Sequence, residues 1–489
     1  MKNTHKNIKQ LVFSLPLFLL LSCNPNQKEE QNVLKSINQE VQDNSKAYSN
    51  LEKITSDIGH RLTGSENGAE AEEYTYELLK SYGYEDVEYH EFEVEAWARD
   101  SVRLEFNNEE VEAVVSLGHS PVSADVEHEV IDVGNGLRAD FDSLKNEVKG
   151  KIALVYIGIL DESPEGLKNI HRSEKTALAI EYGAKGIIIT NQVPGGVLLT
   201  GTASVTGSLI DIPAICISYE KGMELKEQLN NGEEISAHIQ MSNTSEMIKS
   251  RNVIATLPAK ENTDENIIIG GHLDSWDLST GAIDNGIGIA AILDIARTYK
   301  ALDLQPKRNI KFVMFMGEEQ GLLGSKEMVK MLADEGELGN VAYMMNIDMS
   351  GNPKGFNATG RKEMVPVFDE IGTKIQAVDS SFENTNANKA GLHSDHQSFM
   401  MEGIPVVGLV GNLEKKVYSY YHSNGDDFDL VNEEHLENTV RLGAMFLWEL
   451  ANLKEIPAKK LDFEQTKEYL IDQGLKEELE LGNEWKWGE

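Results

Sequence analysis

One stretch, residues 267–288, constrains the architecture of the chain more than any other. It opens with the β-branched run 267–269, and glycines follow, so the run predicts a short buried strand. His272 and Asp274 come directly after this strand, and Asp284 comes just before apolar residues that recur at helical spacing. Open α/β sheets bind their ligands outside the carboxyl ends of the strands. The stretch therefore predicts a polar site at the end of a strand, and we expect this site to bind metal.

Three later apolar runs have the pattern of buried strands, and each is followed by side chains of the same kind. The runs and the residues that follow them are 310–316 with Glu318 and Glu319, 343–347 with Asp348, and 404–410 with Tyr421 and His422.

The collected side chains are imidazoles and carboxylates without thiolates. Such donors favour zinc or another borderline divalent ion over a cysteine-type structural site. They also outnumber the ligands that a single four-coordinate ion needs. A pair of ions that share one carboxylate accounts for the surplus, so we expect two Zn²⁺ ions.

The charge of the chain restricts its partners. Among 489 residues, 45 Lys and Arg stand against 81 Asp and Glu, a formal net charge of -36. Nucleic acid needs a cationic surface, so we expect no nucleic-acid partner. The same balance disfavours adsorption to anionic lipid. A chain of this length with 40% hydrophobic residues can bury a large core, in two domains.

The N-terminus predicts export. Lysines precede an apolar run at 11–21 that is too short to span a bilayer, and the run ends in Leu-Leu-Ser-Cys at Cys23. This ending resembles a bacterial lipobox. We therefore expect a lipoprotein signal peptide at 1–23, a membrane anchor through lipid on Cys23, and a polar tether at 24–49. The predicted location is the cell envelope, at the outer membrane or on the periplasmic face.

Four stretches together resemble the M28 family of co-catalytic zinc peptidases, and within it the carboxypeptidase Q branch. They are Arg-Leu-Thr-Gly-Ser at 61–65, Gly-His-Leu-Asp-Ser-Trp-Asp at 271–277, Gly-Glu-Glu-Gln-Gly at 317–321 and His-Ser-Asn-Gly-Asp at 422–426. The resemblance covers nearly all of the mature chain. It implies an α/β fold: a three-layer αβα peptidase domain with a mixed, mostly parallel sheet, and an inserted α/β protease-associated domain. The implied segments are 50–115 for the first part of the peptidase domain, 116–241 for the insert, 242–455 for the zinc peptidase core and 456–489 for a C-terminal tail.

The resemblance also implies a role for each ligand. His272 and Asp348 would bind one ion, Glu319 and His422 the other, and Asp284 would bridge the two. The peptide bond that follows the bridging residue would be cis.

Three further residues would serve the reaction. Asp274 would stand behind His272 and fix the orientation of its ring. Glu318 would stay free of metal, take a proton from water and pass it to the departing amine. Tyr421 matches the position of a hydroxyl that stabilises the oxyanion in related enzymes, although the carboxypeptidase Q branch tends to carry another residue there.

The leading hypothesis is a lipid-anchored two-zinc exopeptidase of the carboxypeptidase or dipeptidase type that acts on short peptides outside the cytoplasm. An aminopeptidase of the same family is the main alternative. A non-catalytic binding ectodomain and a one-zinc cyclase are further alternatives, and the complete ligand set with Glu318 speaks against the ectodomain. The resemblance, but no pattern in the chain, also implies a homodimer.

Overall fold

The structure, a computed structural model, describes residues 25–411 and 413–488, with side chains from residue 31 onward. The predicted signal peptide and Cys23 lie outside these residues. Among the described residues, no helix combines the length and the apolar character needed to cross a membrane.

The described residues form a series of α-helices and β-strands. The helices are α1 (Pro25–Asn44), α2 (Ala47–Lys53), α3 (Glu66–Ser81), α4 (Arg138–Leu144), α5 (Arg172–Glu181), α6 (Tyr219–Asn230), α7 (Ile287–Ala301), α8 (Leu323–Asp334), α9 (Val365–Gln376), α10 (His396–Met400), α11 (Lys415–Tyr418), α12 (Glu433–Asn452), α13 (Phe463–Asp472) and α14 (Lys476–Leu481). The strands are β1 (Val87–Phe106), β2 (Glu109–Glu110), β3 (Val114–Ser116), β4 (Ser123–Gly134), β5 (Ile152–Tyr156), β6 (Gly186–Thr190), β7 (Ala214–Ile217), β8 (Ser236–Leu257), β9 (Asn266–His272), β10 (Asn309–Phe315), β11 (Val341–Asn346), β12 (Gly355–Asn357) and β13 (Val406–Val410).

The peptidase domain is built on a mixed sheet with the strand order β12-β13-β11-β9-β10-β8. Strands β13, β11, β9 and β10 run parallel, whereas β12 and β8 are antiparallel to their neighbours. Alternate residues of each strand point to opposite faces. Ile267 and Ile269 of β9 belong to one apolar cluster, and Ile268 between them belongs to another.

The two clusters bring helices onto both faces of the sheet. Residues of α1, α2, α3, α7, α9 and α12 pack on one face, and residues of α8, α10, α13 and α14 pack on the other. This is the expected three-layer αβα arrangement, so the predicted fold class is confirmed.

The insert has a sheet of its own. Strands β4, β5, β6 and β7 are parallel, and β3 pairs antiparallel with β7. One side of this sheet is covered by α4 and α5, and the other by α6.

A long two-stranded ribbon joins the insert to the peptidase domain. β1 pairs antiparallel with β8 from Val87 opposite Ala255 to Phe106 opposite Ala237. The first part of β8 also pairs with β4 of the insert, and its last part pairs with β10 of the core. Because the same strand belongs to both sheets, the insert is held against the core.

Two segments differ from the prediction. The expected tether at 24–49 is largely helix α1, because Leu34, Ile37 and Val41 recur at helical spacing and are fully buried in the core cluster. The segment after residue 455, for which the sequence predicted only a tail, forms α13 and α14. Its apolar side chains complete the second core cluster: Leu470, Leu475, Leu479 and Trp487.

Candidate metal centre and active site

Three neighbouring parallel strands carry the central side chains. β9 lies between β10 and β11, and it ends at His272. Glu318 and Glu319 follow β10, and Asp348 follows β11. Because the carboxyl ends of parallel strands meet at one edge of the sheet, these four side chains converge there.

Asp284 lies between the two imidazoles. Its Oδ1 is 3.1 Å from Nε2 of His272, and its Oδ2 is 2.8 Å from Nε2 of His422. The peptide bond between Asp284 and Asn285 is cis, as the resemblance implies. A carboxylate that presents one oxygen to each of two imidazoles is placed to bridge two ions.

Each imidazole also meets a second carboxylate. Oδ1 of Asp348 is 3.5 Å from Nε2 of His272, and Oε2 of Glu319 is 2.9 Å from Nε2 of His422. The structure thus brings all five predicted ligands together, as two groups that share Asp284.

The donor atoms fit zinc. Oε1 of Glu319 and Oδ1 of Asp348 are buried and make no hydrogen bond in the described part of the chain. Leaving carboxylate oxygens buried without a partner is costly, and a bound cation removes that cost. One donor atom each of His272, Asp284 and Glu319 lies within 4.8 Å of the others, close enough to hold an ion.

Asp274 supports the site through several contacts. Its main-chain carbonyl lies 3.0 Å from Nδ1 of His272, whereas its carboxylate oxygen Oδ1 is 3.7 Å from that nitrogen. The carboxylate accepts hydrogen bonds from the Thr63 hydroxyl and from the backbone N–H groups of Glu318 and Glu319. Asp274 therefore orients the His272 ring mainly through its backbone, and it uses its carboxylate to position the loop that carries both glutamates.

Two buried residues shape the loop between His272 and Asp284. The guanidinium of Arg61 donates to the carbonyls of Leu273, Thr280 and Gly281 at 2.6, 2.7 and 2.8 Å. The carboxylate of Asp426 accepts from the backbone N–H groups of Ile283 and Asp284 at 2.7 and 3.0 Å. These bonds fix the backbone of the predicted bridging residue.

Glu318 faces the cleft, and its side chain forms no hydrogen bond within 25–411 and 413–488. Burial raises the pKa of this carboxyl well above its usual value, and the neighbouring carboxylates of Glu319, Asp348 and Asp395 act in the same direction. Cations held by the neighbouring ligands would lower the same pKa. An unligated carboxyl under these opposing influences is suited to accept and return a proton.

Tyr421 stacks on the ring of His422, with ring centroids 3.9 Å apart, and lines the same cleft. Burial raises the pKa of its hydroxyl well above the usual value, so the group stays protonated and can donate a hydrogen bond. This position is consistent with a hydrogen bond from Tyr421 to the oxyanion, and that role stays a prediction.

The cleft over these residues has a volume of about 240 Å³. One wall comes from the insert, with His171 and Arg172 at the start of α5 and the loop 202–207. Another comes from the C-terminal segment, where Glu478 of α14 and Glu484 reach the rim. Polar cleft walls of this kind control which substrates can approach a reactive centre.

The insert also touches the ligand loop directly. The backbone N–H of Thr200 donates to the carbonyl of His422 at 2.6 Å, and Leu199 forms a β-bridge with Ser423. The loop that contains residues 202–207 thus lies directly over the site.

Sequence reasoning missed the wall residues. Arg172 follows His171, whose ring caps α5, and neither residue stands at a recognisable strand end. Glu478 lies in the acidic C-terminal segment, where no sequence pattern indicated a functional residue. His393, which also lines the cleft, stacks on His171 with ring centroids 5.1 Å apart and pairs with Glu478 at 2.7 Å. In the local sequence, these contacts are indicated only by the polar composition of the segments that carry the wall residues.

In a two-metal peptidase, a carboxylate between the ions can hold both, and an acid that remains free of metal can move protons. Asp284 and Glu318 meet these two conditions, and the chain is a zinc metallopeptidase with a two-zinc centre. The models of peptidase family M28 and of the PA domain match residues 252–447 and 120–225. The zinc-binding core of the chain therefore belongs to peptidase family M28, and its insert is a PA domain.

Relatives with different activities match most of the chain. Carboxypeptidase Q of Bos taurus is 26% identical over 423 residues, which cover 84% of this chain and 86% of that protein. A probable leucine aminopeptidase 2 of Aspergillus oryzae is 28% identical over 405 residues, 77% of each chain. The crystal structure of a peptidase M28 precursor from Shewanella amazonensis matches with a TM-score of 0.75 and 26% identity, over 88% of this chain and 98% of that one.

Proposed function

We propose that this zinc peptidase is an exopeptidase of the carboxypeptidase or dipeptidase type that removes single residues from short peptides. The observation that carries the peptidase chemistry is the placement of Asp284 between two imidazoles, with Glu318 unligated in the same cleft. The similarity to carboxypeptidase Q over 84% of the chain supports the carboxypeptidase type. The aminopeptidase alternative rests on the similarity to the leucine aminopeptidase.

The residues divide the work of hydrolysis. Bound zinc supplies Lewis acidity, which polarises the peptide carbonyl and acidifies water. Glu318 takes the proton of the attacking water and delivers it to the departing amine. The Tyr421 hydroxyl donates to the oxygen that becomes negative when the carbonyl carbon turns tetrahedral. Asp274 holds the His272 ring and the backbone of Glu318 in place throughout.

The role of Glu318 is tested by Glu318→Gln, which keeps the size of the side chain and removes its basicity. We expect turnover to fall by about 10²–10⁴-fold, while two zinc ions per chain remain by elemental analysis. Glu181→Gln, on the exposed surface of the insert, serves as the control. Retained activity in Glu318→Gln would exclude this residue as the base.

The type of exopeptidase is decided by a panel of blocked dipeptides: Ala-Leu, N-acetyl-Ala-Leu and Ala-Leu-amide. A carboxypeptidase cleaves the acetylated peptide and discriminates against the amide. A dipeptidase requires both free termini, and cleavage of the amide together with rejection of the acetylated peptide identifies an aminopeptidase.

We also propose that the enzyme acts in the cell envelope, anchored by lipid on Cys23. The support is the lysine-rich start, the apolar run and the Leu-Leu-Ser-Cys ending. In cells that express the full chain, Cys23→Ser should release the enzyme from the membrane fraction and abolish labelling with a radioactive fatty acid. Unchanged labelling of the variant contradicts the anchor.

A further inference from the structure

His422 is supported differently from the other predicted ligands on the sheet edge. His272, Glu319 and Asp348 lie at or shortly after the ends of core strands, whereas His422 lies well beyond the end of β13, after the short helix α11. Its backbone is left-handed, with a φ of 52°. A residue other than glycine adopts this conformation at a cost in free energy. The contacts around His422 must therefore stabilise it.

His422 is bonded to the insert through its backbone. The N–H of Thr200 donates to the carbonyl of His422 at 2.6 Å, and Leu199 pairs with Ser423 in an antiparallel bridge. A hydrogen bond to the carbonyl and a bridge at the next residue restrict the peptide group that follows the ligand. The insert segment 198–200 thus lies beside the ligand as a short additional strand.

Asn424 completes this pairing. Its backbone N–H donates to the carbonyl of Leu198 at 3.1 Å, and its side-chain oxygen Oδ1 accepts from the N–H of Leu198 at 3.1 Å. One residue thus satisfies both polar groups of the Leu198 backbone. Because the side chain of Asn424 is exposed, its removal changes this hydrogen bond without leaving a cavity in the core.

The 198–200 segment is also fixed from other sides. The N–H of Gly118, in the insert, donates to the carbonyl of Gly201 at 2.9 Å. The hydroxyl of Thr200 accepts a hydrogen bond from Arg99 of β1 at 2.7 Å, and Arg99 pairs with Asp277 in the ligand loop at 2.7 Å. The position of the segment is therefore set by the insert and by the ribbon that joins the insert to the core.

The ligands predicted for the other ion are oriented from the core. The main-chain carbonyl of Asp274 lies 3.0 Å from Nδ1 of His272, and the hydroxyl of Ser394 donates to Oδ2 of Asp348 at 2.7 Å. Both orienting groups belong to the peptidase domain. The two halves of the metal centre thus differ in the part of the protein that positions them.

We propose that the 198–200 segment and Asn424 position His422 for metal binding, so that the ion predicted for Glu319 and His422 depends on the position of the insert, whereas the other ion does not. The segment and Asn424 act through the ligand, and neither is among the described residues that line the cleft. The proposal concerns the assembly of the zinc centre and holds for any type of exopeptidase.

The coupling between the ligand and the insert must be reciprocal. If the insert stabilises the conformation of His422 that binds metal, bound metal stabilises the pairing with the insert to the same extent. Zinc should therefore protect the N–H groups of Leu198 and Thr200 from exchange with solvent, although neither residue is a predicted ligand.

Hydrogen–deuterium exchange of the full chain tests this reciprocity. In wild type, zinc added to the zinc-free protein should slow exchange in peptides that contain residues 198–200 by about 2–10-fold, the factor that one hydrogen bond contributes to an equilibrium. In His422→Ala, the same addition should leave their exchange unchanged, because the ligand that transmits the effect is absent. Protection that persists in His422→Ala, or wild-type exchange that zinc does not change, would overturn the proposal.

Substitution of Asn424 tests the positioning. Asn424→Ala removes the acceptor of the Leu198 N–H, so it should weaken one zinc ion per chain by about 2–10-fold in a chelator competition and leave the other at wild-type affinity. Asn424→Asp keeps an oxygen at this position and should restore the affinity. Asn452→Ala is the matched control, because the Asn452 side chain also accepts a backbone N–H, that of Lys307 at 3.1 Å, outside the cleft.

A purely structural contact predicts a different result. If Asn424 only docks the insert, Asn424→Ala lowers the free energy of unfolding and either leaves both zinc affinities unchanged or weakens both ions equally. Each of these results would overturn the proposal. Neither would change the proposed exopeptidase type, because the blocked dipeptides decide that question separately.

Discussion

Replacement of Arg61 by methionine tests whether the ligand loop depends on one buried guanidinium. The side chain is fully buried, and its three short hydrogen bonds go to carbonyls of the segment between His272 and Asp284. Methionine is apolar and of similar length, so it fills the space and donates to none of these carbonyls.

The size of the effect follows from these three contacts. A buried carbonyl that loses its donor costs about 1–3 kcal/mol. The loss is partly offset, because burial lowers the pKa of the Arg61 guanidinium, which means that its charge is itself held at a cost. We expect Arg61→Met to lower the free energy of unfolding by about 3–5 kcal/mol, a large part of the 5–15 kcal/mol typical of a domain.

Urea denaturation of the zinc-free proteins is the appropriate assay, because bound metal would add its own stabilisation to the folded state. Zinc titration of the same samples should show weaker binding in the variant, since the loop that joins two predicted ligands is no longer fixed. Arg138→Met removes an exposed ion pair of the insert and should change stability by less than about 0.5 kcal/mol. A change below about 1 kcal/mol for Arg61→Met, with unchanged zinc affinity, would refute the reasoning.

Two further predictions concern the insert and the N-terminal helix. Burial lowers the pKa of His119 to about 4, whereas the unfolded chain takes up this proton near 6.5, so the free energy of unfolding should fall as the pH falls from 6.5 to 4, by up to about 3 kcal/mol. His119→Gln should remove that part of the pH dependence in urea denaturation, and an unchanged slope contradicts the assignment. Ile37→Ala in α1 should destabilise the fold by about 2–5 kcal/mol, because the side chain is fully buried, whereas the exposed Gln39→Ala should be neutral. Equal stability of both variants in the same assay would mean that the segment behaves as a tether.

The metal centre could be predicted from the sequence because its signals are local. A β-branched run followed by glycines marks a strand end, and the side chains next to that end must lie at the edge of the sheet. His272, Glu319 and Asp348 follow this rule, and the structure brings them together. The partition of the ligands into two groups came from the family resemblance, since spacing alone does not say which side chains share an ion.

The segments at both ends of the chain could not be predicted in this way. Within residues 31–44 of α1, only Leu34, Ile37 and Val41 are buried, and they are separated by polar residues, so the composition favoured a tether. The last helices are acidic, and their few apolar residues pack on a sheet that is formed far away in the sequence. In both cases, long-range packing stabilises a helix that local patterns do not specify.

The metal ligands and the insert's wall of the cleft differ in the same way. The ligands stand on the rigid edge of a parallel sheet, whereas Arg172 reaches the cleft from an insert whose position is fixed by the β1–β8 ribbon. The insert is also bonded to the ligand loop, through the N–H of Thr200 and the carbonyl of His422. A displacement of the insert would therefore move the wall of the cleft and disturb a metal ligand together. The place of Arg172 in the wall of the cleft therefore depends on the position of the insert, and it cannot be read from the local sequence around the residue.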